Sequence, residues 1–139
     1  MQESQQLTVI LADDHNIVRE GIAALCTAHG IRVLGQASDG AGAIEMVLSM
    51  QPDFAILDLH MPGMSGFDVL KWIRQQRGLK ALRVAMLTSS ESPSEIKTAH
   101  DLGANIFLTK PVQLERLIEI MKTLSEHWLQ QAQSPAVSR

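Results

Sequence analysis

Tyrosine is absent from this 139-residue chain, and all aromatics together make up only 4% of it. A core must therefore be built mostly from Leu, Ile, Val, Ala and Met. Cysteine occurs once, at Cys26, which excludes an intrachain disulfide and suits a reducing compartment. No apolar run approaches the length of a membrane span, and the polar stretch from Met1 to Gln6 lacks the apolar segment of a secretory leader. Dense basic stretches are missing too, and the net charge is -3, so nothing advertises direct nucleic-acid binding. These absences point to a cytoplasmic protein without a membrane role. What is present is an ordinary globular balance, 45% hydrophobic and 19% charged, at a length suited to one domain.

Short apolar runs alternate with helix-period stretches. Leu7–Ala12 reads as a strand, and Asn16–His29 as a helix with Ile17, Val18, Gly21, Ile22, Leu25 and Cys26 at helical spacing and Gly30 at its end. Ile31–Ala37 is a second strand. Asp39 caps a helix to about Met50, with Ala41, Ile44, Val47 and Leu48 inward, which Pro52 breaks. Asp53–Leu59 is the third strand. After the Pro62–Gly63 turn, Ser65 and Asp68 form a capping box for a helix with Phe67, Leu70 and Ile73 inward, and Gly78 closes the region. Leu82–Thr88 is the fourth strand. Ser92-Pro93-Ser94-Glu95 opens a helix with cap, proline and box acid, with Ile96, Ala99 and Gly103 inward. Asn105–Leu108 is the fifth strand, and beyond Pro111 a last helix carries Leu114, Leu117, Ile118, Met121, Leu124 and Trp128 on one face. The boundaries expected are a disordered lead, 1–6, one domain, 7–129, and a Gln/Ser/Pro-rich disordered tail, 130–139.

Five strand–helix units in strict alternation, with strands that are apolar runs, predict an α/β fold. Its five-stranded parallel sheet is doubly wound in the order 2-1-3-4-5, with five helices. Ligands bind such sheets outside the carboxyl ends of the strands. The polar residues there are Asp13 and Asp14 after strand one, Asp58 ending strand three, Thr88 ending strand four and Lys110 after strand five. Three carboxylates side by side resist joint ionisation, and a hard dication such as Mg2+, which takes oxygen ligands, relieves that. Asp58 is then a candidate nucleophile toward phosphorus, with Mg2+ and the Lys110 ammonium offsetting the charge that builds on the phosphoryl oxygens. The Thr88 hydroxyl is able to donate to a phosphoryl oxygen.

The ordered set Asp13-Asp14, Asp58, Thr88 and Lys110-Pro111 resembles the receiver domain of bacterial response regulators, over essentially Leu7 to Trp128. The acceptor loop from Asp58 to Gly66 and the Leu102-Gly103-Ala104 step match as well. The resemblance implies that Asp58 accepts a phosphoryl group from a histidine kinase or phosphotransfer protein. It implies that Asp14 and Asp58 hold Mg2+, with Asp13 helping through water and the His60 backbone carbonyl completing the set. Thr88 would move to the aspartyl phosphate, Lys110 would bridge it, and the Lys110–Pro111 bond would be cis. Phe107 stands at the switch aromatic, where a Tyr hydroxyl is often found. Helix four, strand five and helix five would form the output face toward a downstream protein. The chemistry would be self-catalysed phosphorylation and autodephosphorylation rather than turnover as an enzyme. A monomer or weak phosphorylation-dependent dimer is expected.

Two other readings are weaker. A phosphatase of the haloacid dehalogenase kind would carry an acid two residues after its nucleophile, where this chain has His60. A flavodoxin-like carrier would need a phosphate loop after strand one, where this chain has acid. Cys26 reads as core, His60 as contributing its carbonyl alone, Ser90 as bordering the site, and His15, His29, His100 and His127 as surface residues. Regarding output, the opening from Ala12 to Gly21 resembles receivers that precede a DNA-binding domain. The ending near Trp128 looks like stand-alone receivers, and a stand-alone regulator acting by protein contact is the favoured expectation.

Overall fold

A computed structural model of the chain describes residues 6–89, 92–110 and 115–123. Strands β1 (Thr8–Ala12), β2 (Arg32–Ala37), β3 (Phe54–Asp58), β4 (Arg83–Thr88) and β5 (Ile106–Thr109) alternate with helices α1 (Asn16–Ala28), α2 (Gly40–Met50), α3 (Gly66–Gln75) and α4 (Pro93–Leu102). Residues 115–123 form a further helix, α5. All strands are parallel, in the order β2-β1-β3-β4-β5. This is the doubly wound sheet that the sequence predicts.

Strand alternation places each residue on one of two cores. Val9 and Leu11 of β1, Phe54 and Ile56 of β3, and Ala85 and Leu87 of β4 pack with Ile22 and Cys26 of α1 and Leu117, Ile118 and Met121 of α5. The intervening Ile10, Ala12, Ala55, Leu57, Val84 and Met86 pack with Val47 of α2, Val69, Leu70 and Ile73 of α3, and Ala99 of α4. Both faces are covered, so the central strands read as unbroken apolar runs. Each fully buried Leu, Ile or Val contributes about 1.5–3 kcal/mol over its exposed state, and this burial holds the strand ends in place. Cys26 is core, and its burial pushes the thiol up to about 11.

Several local expectations hold. Asp39 accepts from the Gly42 N–H at 2.8 Å, and Ser65 and Asp68 form the reciprocal box at 3.2 and 3.1 Å. Gly30 follows the end of α1 at φ +80°. Others are corrected. Ala41 and Leu48 of α2 face solvent, and the buried stripe is Gly40, Ala43 and Val47. That helix is apolar on nearly all sides, so its pattern does not select a face. Ile17 is 87% and Ile96 44% exposed, and Gly21 faces solvent too, so none of the three lies on an inner face. Gly103 is the left-handed end of α4 rather than part of its inner side. At α4 the Ser92 side chain makes no capping bond, so the expected box does not form. A 3-10 turn at Arg77–Leu79 was not expected. Leu114, Leu124, Trp128, His127, Ser90, the cis Lys110–Pro111 bond and the 130–139 tail fall outside the described residues.

Candidate functional site

Parity along each strand decides which way the polar residues at its end point. Asp58 continues the Phe54–Ile56 row toward α1 and α5, and Asp13 continues the Val9–Leu11 row toward the same side. Thr88 continues the Val84–Met86 row toward α4. Lys110 continues the Ile106–Leu108 row back toward the aspartates. Its backbone N–H donates to the Thr88 carbonyl at 2.6 Å, which fixes the stem of its side chain.

Asp13 and Asp58 are almost wholly buried, and the Lys110 side chain is only 11% exposed. The Lys110 ammonium donates to Asp13 Oδ2 at 2.9 Å and lies 3.3 Å from Asp58 Oδ1. Asp14, with a side chain 34% exposed, stands at the mouth of the cluster. Asp58 Oδ2 is buried without a hydrogen-bond partner. Burial, and next the charge of Asp13, push the Asp58 carboxyl above its ordinary range, while Lys110 and the His60 backbone N–H pull it back. An orphan carboxylate oxygen among other acids is what a hard cation satisfies, so the residues present fit Mg2+. Gly66 lets the next helix start directly behind the site: a Cβ there would lie 2.6 Å from the Asp58 carbonyl oxygen.

Two residues belong to the site that sequence reasoning placed elsewhere. His15, expected on the surface, is exposed but turns Nδ1 inward, 3.1 Å from Asp13 Oδ1, 3.3 Å from Asp14 Oδ1 and 3.9 Å from Asp58 Oδ2. Its position next to Asp14 was the only signal. Glu95, read as the box acid of α4, instead accepts from the Thr88 hydroxyl at 3.2 Å and pairs with His60 Nε2 at 3.4 Å. The His60 imidazole thus has a partner of its own, beyond the backbone role expected for it. Phe107 is half-buried and packs against the core on the α4 side. A cavity of about 270 Å3 between Leu7, Pro52, Phe54 and Arg83 opens at the opposite edge of the sheet, where the strands begin. No helix among the described residues is long and apolar enough to cross a membrane.

Known proteins similar to this chain are numerous. The chain is 37% identical over 122 residues to the nitrate/nitrite response regulator protein homolog of Haemophilus influenzae, covering 87% of this chain and 58% of that one. It thus spans somewhat more than half the length of that relative. Among solved structures it is similar to the receiver domain of the putative response regulator NarL from Mycobacterium tuberculosis, with a TM-score of 0.79, 32% identity and coverage of 87% and 97%. A DNA-binding response regulator of the LuxR family from Staphylococcus aureus aligns with a TM-score of 0.80, 28% identity and coverage of 86% and 98%. The response regulator receiver domain model matches residues 9–122, a span that contains every strand end described above except the start of β1. With the sheet order, the buried aspartate and the lysine that faces it all in place, the chain belongs to the response regulator receiver domain family.

Proposed function

We propose that this receiver is a phosphorylation switch whose acceptor is Asp58. The observation that carries the reading is the orphan Asp58 Oδ2, buried beside Asp13 and Asp14, with Lys110 across the same carboxylate. Asp14, Asp58 and the His60 carbonyl would hold Mg2+, with Asp13 acting through water. When bound, the cation would offset negative charge on the phosphoryl oxygens. An Asp58 oxygen forms the new bond to phosphorus as the bond to the donor's histidine nitrogen breaks, and the donor, protonated on its other ring nitrogen, leaves as neutral imidazole. Lys110, already between Asp13 and Asp58, turns its ammonium to the phosphoryl group. The switch is reset by hydrolysis of the chain's own acyl phosphate, in which water attacks phosphorus and inorganic phosphate leaves the Asp58 carboxylate, so no external substrate is turned over.

Thr88 then exchanges Glu95 for a phosphoryl oxygen, and Phe107, packed on the same side, follows it inward. The output face is α4, β5 and α5. The donor is a histidine kinase or phosphotransfer protein. The longer relatives support an output on an attached domain or on a separate protein, so the stand-alone expectation is kept only in that broader form. The chain itself is proposed to bind no nucleic acid, to act in the cytoplasm, and to be a monomer or weak phosphorylation-dependent dimer. Intact mass after incubation with Mg2+ and acetyl phosphate tests the core of this reading. One added phosphoryl group is expected on wild type and none on Asp58→Asn. A gain in both proteins would move the acceptor elsewhere.

A further inference from the structure

His15 occupies the N-cap of α1, a position that normally goes to Ser, Thr, Asp or Asn because their side chains bond the first free N–H groups. Here the side chain makes no capping bond. The Asp13 carboxylate instead accepts from the His15 backbone N–H at 2.8 Å, and the imidazole is released toward the acids. The two buried carboxylates divide their oxygens between two neighbours. Asp13 Oδ2 and Asp58 Oδ1 face Lys110, whereas Asp13 Oδ1 and Asp58 Oδ2 face His15 Nδ1. Asp14 Oδ1 joins the second set, and the ligand atoms of Asp13, Asp14, His15 and Asp58 all lie within 4.8 Å of one another.

Those separations match a coordination shell. Two ligands at right angles around an ion, each about 2.1 Å away, stand about 3 Å apart. The distances from His15 Nδ1 are 3.3 Å to Asp14 Oδ1 and 3.9 Å to Asp58 Oδ2, the two acids proposed as direct ligands, and 3.1 Å to Asp13 Oδ1, which acts through water. The longest runs to Asp58 Oδ2, the buried oxygen that has no other partner. The Lys110 ammonium donates to the same nitrogen at 3.3 Å, a bond that a cation on Nδ1 would displace.

We propose that His15 Nδ1 is a fourth ligand of this cation site, and that its nitrogen biases the site toward transition-series dications such as Co2+ over Mg2+. This rests on the reading that the acids take a cation. Mg2+ takes oxygen and gains little from an imidazole, whereas Co2+, higher in the affinity order for nitrogen-bearing sites, gains more; Mn2+ prefers oxygen but serves as the paramagnetic probe of a nitrogen in the shell. Carboxylates set the affinity for both kinds of ion, and the ring sets the ratio between them.

The test is calorimetric titration of Mg2+ and of Co2+ into wild type, His15→Ala and His15→Asn at about pH 8, beside pulsed electron paramagnetic resonance of the Mn2+ form. Both variants keep the His15 backbone bond to Asp13, and circular dichroism verifies folding. Wild type should show imidazole nitrogen coupling to Mn2+, and both variants should lose it. His15→Ala should weaken Co2+ at least tenfold and leave Mg2+ within threefold. Equal weakening of both ions would make His15 a positioning residue for the acids and overturn the proposal. So would Mg2+ binding with no nitrogen coupling in wild type. If wild type binds neither ion, the cation reading itself fails along with this one.

Discussion

Asp58 carries opposing demands in one side chain. Its buried carboxyl is held above the ordinary range by burial and by Asp13, so ionising it at neutral pH costs folding free energy. A group with a raised folded pKa contributes stability below its unfolded pKa and loses it as pH rises through the folded one. In buffer with EDTA at pH 7, Asp58→Asn should therefore be more stable than wild type, by about 1–3 kcal/mol, because it removes an unsatisfied buried oxygen's charge. The advantage should fade as pH falls through the raised pKa toward about 3.9, where wild type is protonated as well. Thermal melts across that range measure it. A variant less stable than wild type at pH 7 would mean that Lys110 outweighs burial.

Element by element, the site depends on how closely α3 and α4 approach the strand ends. Gly66, the first residue of α3, donates its N–H to the Leu59 carbonyl at 2.8 Å, and a Cβ would also meet Met86 Cε at 2.9 Å. Gly66→Ala should push α3 off β3 and cost about 1–3 kcal/mol, read as a lower urea midpoint. An unchanged midpoint would show that the helix shifts freely. At α4, Glu95 ties the first turn to β4 through Thr88 and to the β3–α3 loop through His60. Glu95→Ala should cost about 1 kcal/mol and speed amide exchange in the first turn of α4 while leaving α2 unchanged. Equal protection in both proteins would leave Glu95 a surface acid. These cases mark what sequence could reveal. Asp13, Asp58, Thr88 and Lys110 were legible because they end or follow runs of apolar strand residues. His15 was not, because a histidine without a partner at metal-ligand spacing reads as a surface residue, and Glu95 was not, because local capping rules give it another place; only the folded loops bring His15 to the aspartates and Glu95 to His60. The buried face of α2 was illegible because its apolar residues surround the helix.

The whole sheet is the scaffold on which the site is assembled, since β1, β3, β4 and β5 each supply one end and the unfolded chain holds no such cluster. A cation that binds only the folded chain must therefore stabilise the molecule as a unit. At ten times its dissociation constant the gain is about 1.4 kcal/mol, and at a hundred times about 2.7 kcal/mol. For a domain of this size that raises Tm by several degrees, about 3–6 °C per kcal/mol. Mg2+ should raise the Tm of wild type and leave Asp58→Asn and Asp14→Asn nearly unmoved, because each loses a carboxylate ligand. The two ends of the titration then oppose each other. Without metal, Asp58→Asn melts above wild type, because a buried charge is gone. As Mg2+ rises, wild type gains on the variant. The two melting curves should approach or cross, since the same carboxylate that costs stability in the bare fold supplies it once a cation is bound. Parallel curves, with wild type and variant shifted equally by Mg2+, would place the cation away from Asp58 and undo the link between burial and binding.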